Sequence, residues 1–320
     1  MAFYTTYILI QNFEAESKKL LFDEFSIKKI DNSNYDELKA VFKSICVYRF
    51  GQHFIERRYA KLPSLPEGGE DFSGLGRIPY DSEDLMLLLR LFKTGDLVFV
   101  AQIIKSPEGD HLGQYQYPMV YSKYRSPHHY KMSEEEIPVF NSFRMEAAKW
   151  PGWHSDWFKI ARRNFLWGGT KEFHPVRGKE RILDYMIALE ASFVPEGDFV
   201  SRRLKERTAA ILGGAEGEKS SFRKMLNESY GIRSALAHGD ALLPEQTMIL
   251  KEKRQKFEDG VRRLLRKILK NCPASENERQ RYLNGLYDIS DDERAEKIMS
   301  DFRAIKDAKI KDGLLKRLSG

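Results

Sequence analysis

The spacing of apolar residues after Ser133 constrains the fold of this chain more than any other feature. In SEEEIPVFNSFRMEAAKW and the segments that follow it, the apolar residues recur at a period closer to that of a helix than of a strand. The pattern predicts helices at about 133–150, 153–166, 179–193, 197–212, 218–229 and 244–271, then a charged two-helix extension over 276–320. The turn-rich segment GGTKEFHPVRG at 168–178 interrupts this series. The C-terminal half is therefore predicted to be a helical bundle.

The N-terminal part of the chain has a different character. Residues 3–13 and 97–105 are rich in β-branched and aromatic residues, which predicts strands. Two apolar runs in LMLLLRLFKTGDLVFV flank Lys93–Asp96 and predict a hairpin, and the Gly- and Pro-rich stretch 63–79 predicts a long loop. We therefore expect an α+β protein. Its predicted parts are a mixed α/β domain (1–132), a helical connector (133–178), an all-α bundle (179–272) and a C-terminal helical extension (273–320).

The composition is typical of a globular protein. The 320 residues are 42% hydrophobic, which is enough for two modest domains with a core. No stretch approaches the roughly 20 uninterrupted apolar residues of a membrane span, so no membrane association is expected. Cys46 and Cys272 are too few for a disulfide framework or a thiolate metal cage. A reducing, cytoplasmic location is therefore expected.

Basic residues are concentrated between positions 251 and 270, although the net charge of the whole chain is only +6. A local excess of this kind attracts polyanions. Four of these residues are candidate RNA contacts: Arg262, Arg263, Arg266 and Lys267. The alternative is an ordinary solvated helix face, which is the more common reason for a run of charges.

Several familiar site motifs are absent or incomplete in the sequence. GGAEGEKS at 213–220 has Glu218 where a phosphate-binding loop needs its second glycine, and it follows a helix rather than a strand. The seven histidines never form H-E-x-x-H, so neither a metal nor another cofactor is predicted. The tryptophans at 150, 153, 157 and 167 are expected to pack in the core rather than to stack on bases.

Two charged residues interrupt apolar faces of the predicted bundle. Arg207 lies on the stripe that also contains Leu204 and Ile211, and Glu190 lies in the apolar run RILDYMIALEASF. Because a buried charge needs a partner, a Glu190–Arg207 pair or a Glu190–Arg233 pair is expected inside the bundle. The alternative is that each side chain reaches solvent independently.

Four residues separate Arg233 from His238 in YGIRSALAHGD, at 230–240. Such a pair arises by chance in a chain of this composition, so its surroundings decide its meaning. The blocks RILDYMIALEASF, SRRLKERTAAILGG and YGIRSALAHGD resemble successive blocks of the Apea-like HEPN family, which is associated with bacterial abortive-infection and phage-defence proteins. The resemblance is strong over about 180–240, weaker over 85–175 and absent from the final 45 residues.

This resemblance implies a HEPN helical bundle that cuts RNA without metal. It gives His238 the role of the base that removes the 2′-hydroxyl proton, and Arg233 the role of stabilising the phosphate. Ser234 is a supporting donor, although this position is often Asn, Asp or His in the family. Tyr230 packs on the motif or contacts a base. Gly239 allows either a close approach to phosphate or simply a chain turn.

The resemblance also implies a homodimer, because one motif supplies only one imidazole and one guanidinium. The expected partners are RNA, with tRNA among the candidates, and a phage or host trigger recognised by the N-terminal domain. The expected role is that of a toxin or abortive-infection ribonuclease in antiviral defence. Two alternatives remain open: a non-catalytic HEPN scaffold for protein pairing or nucleotide binding, and an RNA-binding adaptor that uses the basic helix.

Overall fold

The computed structural model describes residues 3–32, 35–42, 53–59, 78–116, 128–170, 180–195, 200–213 and 215–286. Within these residues the chain is a mixture of one main sheet and many helices, which confirms the α+β class. The strands are β1 (Tyr4–Gln11), β2 (Phe13–Glu14), β3 (Lys19–Leu21), β4 (Phe25–Lys29), β5 (His53–Tyr59), β6 (Val98–Lys105), β7 (His111–Gln116) and β8 (Tyr130–Lys131). The helices are α1 (Tyr35–Val41), α2 (Ile78–Phe92), α3 (Glu136–Ala147), α4 (Phe158–Thr170), α5 (Arg181–Phe193), α6 (Val200–Leu212), α7 (Glu216–His238), α8 (Pro244–Asn271) and α9 (Glu276–Gly285).

Six strands form one antiparallel sheet in the order β3-β4-β5-β1-β6-β7, and β2 pairs separately with β8 in parallel. Alternate residues of the central strand β1 point to opposite sides of the sheet. Ile8 and Ile10 face the main hydrophobic core, whereas Leu9 faces a smaller core that includes Leu38 and Phe42. Burial on both sides explains why β1 and β6 are mostly apolar rather than alternating.

The main hydrophobic core runs without interruption from one face of the sheet into the helices. α2 contacts both β6 and α8, so it lies between the sheet and the bundle. Arg262 of α8 donates to the carbonyls of Leu91, at 3.1 Å, and Phe92, at 2.9 Å, at the end of α2. The domain boundaries expected at residues 132 and 178 remain predictions.

Buried charged residues reinforce this junction. Arg181 at the start of α5 donates to Asp96 at 2.5 Å and lies 3.0 Å from a carboxylate oxygen of Glu258 on α8. Arg90 of α2 donates to two backbone carbonyls of α4 and, at 2.8 Å, to the hydroxyl of Tyr185. All four charged residues are buried, so each is compensated by partners rather than by water.

The hairpin predicted around Lys93–Asp96 is wrong, because LMLLLRLF forms the second half of α2 rather than a strand. Every residue from Leu85 to Leu91 is buried. A helix that is buried on all sides has a continuous apolar sequence, so its residue pattern does not distinguish it from a buried strand. The chain does turn after α2. Gly95 has a φ of 139°, and a Cβ there would lie 2.6 Å from Cα of Tyr130, so the turn requires glycine.

Most predicted helices are present. α8 runs from Pro244 to Asn271 as predicted, whereas α7 continues to His238 instead of ending near residue 229. Gly231 does not break α7, because Ser229 and Ile232 on either side of it are buried against the bundle. The predicted loop at 63–79, except its last two residues, and residues 287–320 of the extension lie outside the described residues. None of the helices in the described ranges is long and apolar enough to cross a membrane.

The tryptophans follow the prediction with one exception. Trp150, Trp153 and Trp157 are buried in the main core. Trp167 on α4 is 37% exposed and lies 5.0 Å from the guanidinium of Arg163. Its indole is therefore a partly exposed surface group rather than a core residue.

Candidate active site

The C-terminal end of α7 carries four of the predicted site residues, Tyr230, Arg233, Ser234 and His238. The helix stops there because Gly239 adopts a left-handed conformation with φ 76°, and its N–H donates to the carbonyl of Leu236. A Cβ at Gly239 would meet nothing within 4 Å. The left-handed backbone by itself explains why a glycine occupies this position, which agrees with the interpretation of Gly239 as a chain turn.

Arg233 is held by an acidic partner on a neighbouring helix. Its Nη2 donates to Oε2 of Glu190 on α5 at 3.0 Å, with 30% of the arginine side chain and 15% of the glutamate side chain exposed. Burial raises the pKa of Glu190, and Arg233 opposes that rise without cancelling it. The guanidinium also lies 5.5 Å from the ring of Tyr230. Of the two expected ion pairs, the structure therefore contains Glu190–Arg233, with Tyr230 packed on the motif.

Arg207 is buried in the bundle, as its place on the apolar stripe predicts, but its partner is not Glu190. It donates to the carbonyl of Phe193 at 2.7 Å and to Oδ1 of Asn284 at 2.9 Å. It is only 1% exposed, so the alternative in which it reaches solvent is wrong. Asn284 lies on α9, in the predicted C-terminal extension rather than in the predicted bundle. This contact therefore had no local signal in the sequence.

His238 occupies the last turn of α7 and is exposed. It is five positions after Arg233, so the two residues are separated by roughly 7.5 Å along the helix axis and by roughly 140° around it. Ser234, four positions before His238, lies on nearly the same side of the helix as the histidine. Within one protomer, the helix geometry therefore directs the imidazole and the guanidinium to different faces.

The four basic residues predicted to bind RNA are engaged with the protein. Arg262 binds the end of α2, as described above, and Lys267 donates to the carbonyl of Leu212. The guanidinium of Arg266 lies 4.7 Å from the ring of Phe143.

Arg263 meets Glu218 at 2.9 Å, in the first turn of α7. That turn is about 30 Å along the helix from His238, since each residue rises 1.5 Å. The structure therefore does not bring this group together with Arg233 and His238.

The residues that do neighbour the motif come from the start of α8. A Cβ on Gly231 would lie 3.9 Å from Nε2 of Gln246, and Nζ of Lys253 donates to both carboxylate oxygens of Glu228 at 2.8 and 2.9 Å. α7 and α8 thus run antiparallel. This antiparallel pairing places the N-terminal half of α8, rather than its strongly basic C-terminal half, beside the motif.

Apolar surface is exposed close to His238. Every residue from 237 to 241 is exposed, and Leu243 and Met248 at the start of α8 are each 54% exposed. Leu243 and Met248 therefore give this part of the surface some exposed apolar area.

Within the described part of the chain, no group of three or more His, Cys, Asp or Glu residues is arranged to hold a metal ion. Comparisons with protein-family models, with curated proteins and with solved structures give no match. The HEPN resemblance is therefore a hypothesis that rests on the sequence blocks alone.

Proposed function

We propose that this protein is a metal-independent endoribonuclease of the HEPN type that acts as a toxin or abortive-infection nuclease. This proposal is supported best by the orientation of Arg233 and the exposure of His238. Arg233 is oriented by Glu190 and Tyr230, while His238 stands exposed at the end of the same helix. An oriented guanidinium and an exposed imidazole are groups that suit chemistry on a phosphodiester.

In the proposed reaction, His238 takes the proton from a 2′-hydroxyl and the 2′-oxygen attacks the adjacent phosphorus. The bond from phosphorus to the 5′-oxygen breaks, and that oxygen takes up a proton. The products carry a 2′,3′-cyclic phosphate and a 5′-hydroxyl. Arg233 stabilises the added negative charge. A guanidinium has five N–H donors, and Glu190 engages Nη2 alone, so donors remain for phosphate oxygens.

The helix geometry supports a homodimer as the active unit. Arg233 and His238 of one chain diverge around α7, so a single protomer offers its base and its phosphate-binding group on different faces. A two-fold axis near the end of α7 brings the histidine of one protomer toward the arginine of the other. Leu243 and Met248 are exposed at this end and supply apolar surface for the contact.

The same divergence favours a second candidate, a HEPN scaffold without catalysis. In that case the end of α7 pairs with a protein and Arg233 serves only to hold α5 and α7 together. The two candidates differ in one measurable respect, because the scaffold leaves RNA intact.

The test is to incubate the purified full chain with total cellular RNA and EDTA and to sequence the new 5′-hydroxyl ends. Arg233→Lys, which keeps a cation for Glu190 but loses the planar fork, and His238→Ala are expected to abolish the cleavage. Arg223→Lys is the matched control. Arg223 lies on the same helix, is similarly exposed (32%) and pairs with Glu206. His154→Ala changes another exposed histidine.

Mixing Arg233→Lys protomers with His238→Ala protomers tests the shared site. Recovery of part of the cleavage supports a composite site, because a mixed dimer retains one intact arginine and one intact histidine. RNA that the wild type leaves uncut rules out the nuclease and favours the scaffold. Equal cleavage by all variants contradicts the site assignment.

A further inference from the structure

One face of α7 carries a continuous line of polar residues that ends at His238. We call this line the α7 row, and it consists of Ser220, Lys224, Asn227, Gly231, Ser234 and His238. Successive members are alternately four and three residues apart, so they stay within roughly 80° around the helix and extend over about 27 Å. Ser234 is partly exposed and the other five are exposed. The row is therefore a surface of the protein that leads directly to the proposed base.

The side chains of the α7 row are of the kinds that bind a nucleic-acid backbone. Lysine, serine and asparagine are common donors to phosphate oxygens, whereas lysine and serine are depleted in protein–protein interfaces. Oδ1 of Asn227 accepts from Nζ of Lys205 on α6 at 2.9 Å, so the N–H groups of this amide remain available to another acceptor. The row contains no carboxylate and no large apolar side chain. Its composition therefore favours an RNA backbone over a second protein.

The carboxylates of α7 that flank the row already have cationic partners. They form the ion pairs Lys253–Glu228, Arg263–Glu218 and Arg223–Glu216. Lys205 is bound to a neutral amide, and Lys224 forms no ion pair within the described part of the chain. Two positive charges beside the row are therefore left without a carboxylate partner, which attracts a phosphate backbone.

Gly231 lies in the middle of the row, and the packing of the chain does not require a glycine there. A Cβ at this position would meet only Nε2 of Gln246, at 3.9 Å, which is an ordinary van der Waals contact. Glycine inside a helix is less stable than alanine, but it allows another backbone to approach the helix closely. A strand that lies along the row explains the glycine.

We propose that the α7 row binds the backbone of single-stranded RNA and leads the strand to His238. The choice of RNA among polyanions rests on the proposed ribonuclease function, whereas the binding surface rests on the residues above. A single row of donors fits one strand, whereas a duplex presents two strands across a groove. Because the row reaches His238 from one direction only, it contacts nucleotides on one side of the bond that is cut.

The test uses the full chain carrying His238→Ala, so that bound RNA is not cut, and fluorescence anisotropy with a labelled oligouridylate. Lys224→Gln is expected to weaken binding about fivefold and to lower the slope of log affinity against log salt concentration by about 0.7. Asn227→Asp keeps an acceptor for Lys205 but adds a negative charge to the row, so it is expected to weaken binding about tenfold. The matched controls are Lys149→Gln and Asn271→Asp, which make the same changes at exposed positions outside the row.

Gly231→Ala separates binding from folding. It is expected to raise the midpoint of thermal unfolding, because alanine favours the helix and its Cβ has room. It is also expected to weaken binding about threefold, because the added methyl group lies between the helix and the RNA backbone. A Gly231→Ala variant that is more stable and binds RNA as tightly as its parent contradicts the close approach.

Thermal unfolding of each variant verifies that it is folded. Equal binding by the control and the row variants overturns the inference, as does equal affinity for an RNA duplex. Row variants that dissociate into monomers in light scattering but bind RNA normally assign the row to a second copy of the chain instead. Loss of binding in the row variants, together with a wild type that never cuts RNA, supports the binding surface and refutes the nuclease. Cleavage that depends on His238, with binding insensitive to the row, does the reverse.

Discussion

Replacing Arg233 by methionine removes the charge opposite Glu190 while keeping most of the side-chain volume. The pair is intermediate between an exposed ion pair, worth about 0.2–1 kcal/mol, and a buried one, whose disruption costs about 3–5 kcal/mol. With 30% and 15% of the two side chains exposed, we expect Arg233→Met to lower the free energy of unfolding at pH 7 by about 1–2 kcal/mol. Urea unfolding followed by circular dichroism measures this loss.

The pH dependence of that loss has a defined sign. Burial raises the pKa of Glu190 above its unfolded value even with Arg233 present. Ionisation of Glu190 therefore lowers the free energy of unfolding as the pH rises from the unfolded pKa through the folded pKa. Without the arginine the folded pKa rises further. The destabilisation by Arg233→Met is therefore largest at pH 7 and shrinks toward about pH 4, where Glu190 is mostly protonated in both the folded and the unfolded state.

A double-mutant cycle with Glu190→Gln isolates the pair. In the Glu190→Gln background, Arg233→Met is expected to cost little at either pH, and the coupling energy at pH 7 is about 1 kcal/mol. A destabilisation that is the same at both pH values, or a coupling energy near zero, refutes the electrostatic account and leaves packing as the cause.

Three other changes test the fold. Gly169→Ala is expected to lower stability by about 3 kcal/mol in urea unfolding, because its Cβ would lie 1.8 Å from Cζ of the buried Arg90, although alanine normally favours a helix. Arg207→Met is expected to cost about 1–3 kcal/mol in the same assay, since it leaves the carbonyl of the buried residue Phe193 without its arginine donor. Burial and a neighbouring lysine depress the pKa of His53 to about 4, so the wild type is expected to lose up to about 3 kcal/mol as the pH falls from about 6.5 to 4. His53→Phe is expected to remove that part of the loss when the free energy of unfolding is compared at the two pH values.

Each of these predictions has an outcome that would contradict it, and Gly169→Ala also has a matched control. Gly217→Ala is the control for Gly169→Ala, because a Cβ there meets nothing within 4 Å and the helix gains stability. A stabilising Gly169→Ala contradicts the packing of α4 on α2. An Arg207→Met variant as stable as the wild type means that α9 does not depend on that contact. An unchanged acid profile in His53→Phe means that the histidine is not held neutral in the fold.

The sequence by itself determined the features whose causes are local. α8 begins at Pro244 and ends at Asn271 as predicted, because proline at the first turn and the break before Pro273 act within a few residues. The apolar spacing around Arg207 predicts correctly that its guanidinium is buried. The R-x(4)-H spacing also determines, once α7 is known to be helical, that Arg233 and His238 diverge around it.

Tertiary structure decided everything that depends on a partner far away in the chain. LMLLLRLF forms a helix that the sheet and the bundle bury on every side, and the pattern of its own eight residues does not show this. Glu190 pairs with Arg233, whereas Arg207 donates to the carbonyl of Phe193 and to Asn284 of α9. The basic residues of α8 contact carbonyls, a carboxylate and an aromatic ring of other helices. A charge pattern shows which side chains need partners, and only the packing of helices shows which partners they find.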